Sequence, residues 1–202
     1  MGYTVTKINL YEKNLSYCTG CRTCMNTHTC VQKDGIQEIV MCLQKCQTVL
    51  LAAPVYWTNV PAPVKNLFDR LLGTVMEETS TFPKPRLKGK KYMLFTSCNT
   101  PFPFSWIFGQ SRGAIRSMEE FFKTAGMKPI GKIVCAGKAS KKELPDIAST
   151  SIFCSSTILS AITSAVFPRS CLCSKMLIFV ISPFCTVTST LAYIKFTSYS
   201  PI

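Results

Sequence analysis

Past residue 150 the sequence has no glycine and no acidic residue: all ten glycines lie at or before Gly137, and all ten Asp and Glu residues lie in the first 150. That rules out treating the 202 residues as one compositional whole. What remains after Thr150 is rich in Ser, Thr, Ile, Phe and Cys, with only Arg169, Lys175 and Lys195 charged. It contains two uncharged runs, SIFCSSTILSAITSAVF and MLIFVISPFCTVTSTLAYI. The second approaches the length needed to span a bilayer, but its threonines, serines and Pro183 make it a poor apolar span. Neither a helical stripe nor strand alternation organises the segment. We read residues 149–202 as an unrelated low-charge tail, disordered, translated past a frameshift or weakly membrane-associating, with translation past a frameshift or misread exon boundary ranked ahead of a membrane segment.

The N-terminal stretch MGYTVTKINLYEKN has no apolar core and alternates polar with apolar residues, which excludes a signal peptide reading. A reducing cytoplasm is the expected location. Twelve cysteines in that setting point to metal or redox chemistry before disulfides. The net charge of +13 suggests nucleic acid only superficially. The local basic run, KPRLKGKK at 84–91, lacks the interleaved aromatics or helical face of a nucleic-acid surface and reads as a solvated loop leading into a strand. No nucleic-acid partner is expected, and a membrane is disfavoured.

Residues 1–148 carry a different pattern. YTVTKINL (3–10) alternates like a strand. DGIQEIVMCLQKC places Ile36, Ile39, Val40 and Leu43 at helical spacing, with Asp34 as N-cap. TVLLAAP (48–54) is a continuous apolar run, as in a strand buried on both faces. PAPVKNLFDRLL opens with prolines suited to a first helical turn and puts Val64, Leu67, Phe68 and Leu71 on one face. KYMLFTS (91–97) is a strand, GAIRSMEEFFKTAG a helix closed by Gly126, and KPIGKIVCAG (128–137) a strand. KKELPDIA reads as the start of a last helix. Strands alternating with helices give the α/β class, a parallel sheet with helices on both faces.

Two stretches carry candidate chemistry. In an open α/β sheet, ligands sit beyond the carboxyl ends of strands, where PVYWTNVP leaves one strand and TSCNT leaves the next. A flavin ring needs a flat apolar wall and hydrogen bonds along its pyrimidine edge. Tyr56 and Trp57 offer the wall, and the backbone of Pro54, Val55 and neighbouring residues, with Thr58 or Asn59, offers the bonds. Thr96, Ser97 and Cys98 are the second contributor. The alternative is that Tyr56 and Trp57 merely cap the core. The other stretch is CTGCRTCMNTHTC, where Cys18, Cys21, Cys24 and Cys30 follow C-x2-C-x2-C-x5-C. Such spacing wraps thiolates around an iron–sulfur cube, although the fourth interval differs from the bacterial ferredoxin run. Zinc, which more often pairs two C-x2-C knuckles across a longer gap, and a reduced metal-free loop stay open as alternatives. His28, inside the loop, reads as a bystander. Cys42 and Cys46, one helical turn apart, read as packing residues, Cys135 as strand core, and Cys98 as a thiol with a possible redox role.

Together the cysteine loop and AAPVYWTNVPAPVKNLFDR resemble the flavodoxin-like NAD(P)H-dependent FMN reductases, in particular the iron–sulfur flavoproteins. The matching residues are Pro54, Tyr56, Trp57, Lys65, Asp69 and Arg70, and the resemblance runs from about residue 2 to 148. It implies a flavodoxin-like domain binding FMN and a [4Fe–4S] cluster on the four cysteines. It further implies electron transfer between FMN, which handles one or two electrons, and a one-electron cluster. Reduced ferredoxin or NAD(P)H would be the donor, and a homo-oligomer the assembly. No residue is assigned as a catalyst, and Lys65, Asp69 and Arg70 are expected to be helix-surface, capping or subunit contacts. Members of the family open with a strand, a Gly-Ser-Pro-Arg-like phosphate loop and a helix that have no counterpart here. The domain is therefore expected to lack its first strand and helix, to leave the backbone of that strand's two neighbours unpaired, and to bind FMN weakly. An inactive truncated or frameshifted remnant, holding at most the cluster, is the alternative.

Overall fold

The structure, a computed structural model, describes residues 3–137 and 177–183. Seven consecutive buried residues make up the strand β2 (Thr48–Pro54). Such a run has no solvent face, so it belongs in the middle of a sheet covered on both sides. It pairs in parallel with β5 (Lys91–Cys98), Val49 opposite Tyr92 and Pro54 opposite Ser97, and β5 pairs in parallel with β6 (Lys128–Ala136). Before β2 come β1 (Tyr3–Asn9), the short α1 (Cys24–Thr27) and α2 (Ile36–Lys45). After it come α3 (Ala62–Arg70), the single turn α4 (Leu72–Val75), and a two-residue ribbon of β3 (Met76–Glu77) against β4 (Lys84–Pro85). Between β5 and β6 lie α5 (Phe104–Ile107) and α6 (Gln110–Thr124). The fold is flavodoxin-like and its class is α/β.

One core joins the helices to the sheet. Ile36, Ile39, Val40 and Leu43 of α2, Val64, Leu67 and Phe68 of α3, and Ala114, Met118 and Phe122 of α6 share it with Val49, Leu51 and Ala53 of β2. Each fully buried apolar side chain contributes roughly 1.5–3 kcal/mol. Stacked ring pairs, Phe68 on Phe121 and Tyr92 on Phe122, fix α3 and β5 against α6. The alternate strand residues Leu50, Ala52, Met93 and Phe95 point to the opposite face and are buried as well, so both faces of the sheet centre are covered.

Strand β7 (Leu177–Pro183) comes from the stretch expected to lie outside the domain. It runs between β1 and β2, antiparallel to both, with Ile181 opposite Val5 on one side and Thr48 on the other. The sheet order is β1-β7-β2-β5-β6. Two expectations are corrected here. The two strands expected to flank an absent first strand do not stand with unpaired backbone, because β7 supplies the ladder that buried N–H and C=O groups require. The sheet is also mixed rather than wholly parallel at that position. The expected last helix KKELPDIA and the rest of the tail lie outside the described residues. No helix among the described residues is long and apolar enough to cross a membrane.

The basic run is less solvated than expected. Lys84 and Pro85 form β4, Leu87 is buried, and Lys90 Nζ donates to the carbonyls of Gln44 and Cys46 at 2.9 and 2.6 Å. A lysine there satisfies carbonyls left open at the end of α2.

Candidate functional site

The loop after β2 is a tight turn. Val55 N–H donates to Ser97 O at 2.8 Å, carrying the β2–β5 ladder one step past the strand. Tyr56 and Asn59 then exchange both backbone hydrogen bonds, at 2.9 and 3.0 Å, which leaves Trp57 and Thr58 at φ 50° and 62°. Two successive positive φ values on non-glycine residues are uncommon, and for a β-branched threonine the strain is real. Trp57 projects almost entirely into solvent, 98% exposed, and Tyr56 is partly exposed. Packing holds the turn from behind: an ideal Cβ on Gly113, in the first turns of α6, would lie 1.9 Å from Thr58 O. Only glycine lets helix and turn approach so closely.

This turn and the end of β5 enclose a pocket of about 390 Å³, lined by residues 54–58, residues 97–100 and Gln110. That volume suits a small-molecule site, for which about 300–1,000 Å³ is usual. Of the residues expected from sequence, Pro54, Val55, Tyr56, Trp57, Thr58, Ser97 and Cys98 meet there. Asn59 instead pins the turn, its Oδ1 accepting from Val60 N–H at 2.8 Å. Thr96 is buried beside them on β5 outside the pocket lining, and its Oγ1 has no hydrogen-bond partner among the described residues. Gln110 was not foreseen, because the start of α6 falls three residues before the apolar period that marks the helix. None of the lining residues is charged.

Cys98 is buried at the pocket wall, and burial pushes its thiol pKa up against the smaller opposing effects of Ser105 and the Gly137 N–H. A thiol buried in apolar surroundings has the setting of a packing cysteine. Cys46 and Cys135 are buried and Cys42 half-buried, as packing residues should be.

The cysteine loop lies beside α3 and α4. Its path is sharply turned, with Gly20, Arg22 and His28 all at positive φ. All four thiols are free, Cys18 and Cys21 exposed, Cys24 and Cys30 half-buried. Among the described residues no three His, Cys, Asp or Glu side chains stand close enough together to hold a metal ion. The donor chemistry nonetheless suits one: four thiols within thirteen residues, none spent in a disulfide, with the Cys21 thiol lowered by hydrogen bonds from the Thr23 hydroxyl and backbone. His28 lends its backbone, not its ring, since its carbonyl accepts from Thr74 Oγ1 at 3.0 Å. Gly73 of α4 packs directly on the loop, where an added Cβ would sit 2.0 Å from Cys24 O.

Helix α3 ties this loop to the pocket. It begins three residues after the Tyr56–Asn59 turn and buries two polar residues one turn apart, Asn66 and Arg70. Asn66 Oδ1 accepts from Cys18 N–H at 3.3 Å, and its Nδ2 donates to Ser16 O at 3.2 Å. Arg70, expected as a helix-surface, capping or subunit contact, is 1% exposed and so is not a surface residue. Its Nη1 and Nη2 donate to Asp34 Oδ2 and Oδ1 at 2.8 and 2.9 Å, its Nη1 to Ser16 O, and its Nε to Cys30 Sγ at 3.1 Å. A buried guanidinium is tolerated when its nitrogens find acceptors, and each of the three here donates at least one hydrogen bond. Burial opposes its charge, yet the carboxylate and the sulfur raise its pKa overall. Lys65 and Asp69, by contrast, form an exposed i,i+4 pair on the outer face of α3, as expected of helix-surface residues.

Asp34 does more than the expected cap. Its Oδ1 accepts from Ile36 N–H at 3.1 Å, and Gln37 Oε1 accepts from Asp34 N–H at 3.2 Å, a reciprocal pair like a capping box. Its Oδ2 also accepts from Ser16 N–H at 3.0 Å. Burial raises its pKa, but the Arg70 guanidinium and the two backbone donors outweigh that and hold the carboxyl below its usual value.

Comparison with known proteins bears on this arrangement. A family model described as a flavodoxin-like fold matches residues 1–150. An iron–sulfur flavoprotein of Archaeoglobus fulgidus is 38% identical over 89 residues, 44% of this chain and 37% of that protein. One from Methanosarcina thermophila is 32% identical over 69 residues, 34% of this chain and 36% of its own length. An FMN-dependent NADH:quinone oxidoreductase of Erythrobacter litoralis is 44% identical over 62 residues, 29% of this chain and 32% of that enzyme. The matched stretches thus span about a third of the length of these relatives. Among solved structures, an FMN-dependent NADH-azoreductase of Bacillus anthracis in complex with FMN superposes with a TM-score of 0.52 at 13% identity, covering 66% of this chain and 70% of that one, a likeness of fold.

Proposed function

The chain belongs to the flavodoxin-like fold family, and from that premise we propose that it is an FMN-dependent electron-transfer flavoprotein whose four clustered cysteines carry a [4Fe–4S] cluster. The observation that carries the reading is the pocket itself: the two strand-end loops picked out for a flavin ring are the two that enclose it. When bound, FMN would exchange one or two electrons and the cluster one. Trp57 and Tyr56 supply flat apolar surface at the pocket mouth. Thr58, Ser97, Asn99, Thr100 and Gln110 supply uncharged polar groups inside it. Cys18, Cys21, Cys24 and Cys30 would hold the cluster after the loop closes on it. Helix α3 stands between the two sites, its first turn behind the flavin loop and its last turn against Cys30. Reduced ferredoxin or NAD(P)H fits as electron donor, and a homo-oligomer as the assembly.

A second reading keeps the cluster and gives up the flavin. It is favoured by the absence of any charged side chain in the pocket lining, which leaves a ribityl phosphate without a counter-charge among the lining residues. An absorption spectrum separates the two. The anaerobically purified chain is reconstituted with iron and sulfide, exposed to FMN and desalted. A broad iron–sulfur band bleached by dithionite together with flavin peaks is the expected result. The iron–sulfur band alone selects the second reading, and neither band refutes both.

A further inference from the structure

Arg70 is among the largest of the fully buried side chains, and its hydrogen bonds go to Cys30 of the cysteine loop and to Ser16 and Asp34 on either side of it. Of the four clustered thiols, Cys30 is the one that accepts a hydrogen bond from a cation among the described residues, Arg70 Nε–H to Sγ at 3.1 Å. The direction of that N–H is not free to wander. The bidentate pair with Asp34 fixes the plane of the guanidinium, and Asp34 is itself fixed by the N–H groups of Ser16 and Ile36. The backbone of Cys30 is held separately, its carbonyl accepting from Gln37 Nε2 at 3.3 Å. Among the described residues, Cys18, Cys21 and Cys24 have no comparable hydrogen bond from a buried side chain to sulfur.

We propose that Arg70 is the positioning residue of the cysteine loop, holding Cys30 as its fixed sulfur through an N–H···S bond that persists when the loop is loaded and raises the cluster's reduction potential. The proposal rests on the cluster reading given above. Its sign follows from charge. Reduction places an added electron partly on the sulfur ligands, and a fixed N–H donor from a cation stabilises the more negative state. Lysine does not replace this donor, because it lacks the planar fork that grips Asp34 while aiming a third N–H at sulfur.

The test uses the full chain as wild type, Arg70→Lys and Cys30→Ala, with Cys18→Ala as control. After anaerobic reconstitution, iron and sulfide per chain are assayed and the midpoint potential is read from a redox titration. Arg70→Lys should load iron as the wild type does and shift to lower potential; an unchanged potential at full iron content overturns the proposal. The metal-free chain gives a second, independent reading. The Arg70 Nε–H proton should exchange slowly in NMR spectra, and its resonance should move in Cys30→Ala but not in Cys18→Ala. Indifference to Cys30→Ala overturns the proposal even if Arg70→Lys fails to fold. A wild-type chain that takes up no iron refutes the cluster reading by itself, and the N–H resonance then decides whether Arg70 positions Cys30.

Discussion

Arg70 and Asp34, thirty-six residues apart in sequence, meet as a two-bonded fork, Nη1 to Oδ2 at 2.8 Å and Nη2 to Oδ1 at 2.9 Å, with the arginine side chain fully buried and the aspartate 10% exposed. Removing one member of such a pair strands the other without compensation, at a cost of about 3–5 kcal/mol. Asp34→Asn should therefore lower the unfolding free energy of the chain by an amount of that order, read as a fall in the urea midpoint at unchanged slope. A loss below about 1 kcal/mol would mean the pair behaves like an exposed ion pair.

The same pair sets an acid limit. The folded carboxyl of Asp34 lies below its usual 3.8 because the Arg70 guanidinium and the N–H groups of Ser16 and Ile36 outweigh the burial that would raise it. A depressed folded pKa gives stability that is complete above the unfolded value and is lost as pH falls through the folded one. Wild type should lose stability below about pH 4, and Asp34→Asn should lose less over the same range. Parallel pH curves for the two proteins would contradict this.

Why the pair escaped a reading of the sequence is instructive. The apolar periods of α2, α3 and α6 and the unbroken run of β2 were legible because burial repeats at 3.6 or at every residue. The pocket-lining loops were legible because they follow strand ends, and strand ends can be placed once strands are. Arg70 follows Asp69 on a helix whose apolar face is already accounted for by Val64, Leu67 and Phe68, so an arginine there looks like a surface residue. What buries it is a loop that departs from the chain forty residues earlier, and no local period reports that approach. The one local hint was Asn66, a polar residue one turn before Arg70 on the same face. Strand β7 was illegible for another reason: its partners are more than a hundred residues away, and IFVIS matches a buried strand no better than a buried helix segment.

Gly113 should be intolerant of alanine although it sits inside a helix. Alanine there gains about 1 kcal/mol of helix propensity, but its Cβ falls 1.9 Å from Thr58 O. The turn must move, and overpacking of this kind costs roughly 1–3 kcal/mol. Gly113→Ala should be destabilised, and Trp57 fluorescence should shift as the strained turn relaxes. A stabilised variant with an unaltered spectrum would show that the contact has room to give.

Gly73 plays the matching part at the cysteine loop, where a Cβ would come within 2.0 Å of Cys24 O. Gly73→Ala should push α1 off α4 and lower the iron retained after reconstitution, while leaving flavin uptake at the wild-type level. Equal losses at both sites would point instead to a general failure of folding.

The pocket also makes a prediction about which part of its ligand it reads. Its wall is apolar and aromatic, its polar lining is neutral, and no Lys or Arg faces into it among the lining residues. A phosphate held by charge-assisted hydrogen bonds gains about 1.5–3 kcal/mol for each such bond, so an anchored FMN binds at least tenfold more tightly than riboflavin. Without that anchor the ring and the ribityl chain carry the affinity alone. Titrations of the chain with FMN and with riboflavin, followed by flavin fluorescence quenching, should then give dissociation constants within about fivefold of each other, and both should weaken in Trp57→Ala as base-sized stacking worth about 1 kcal/mol is lost. A clear preference for FMN would require a cationic or N–H-rich phosphate site outside the lining seen here, and would move the search to the residues bordering β7, where the flavodoxin-like order places the ligand's crevice.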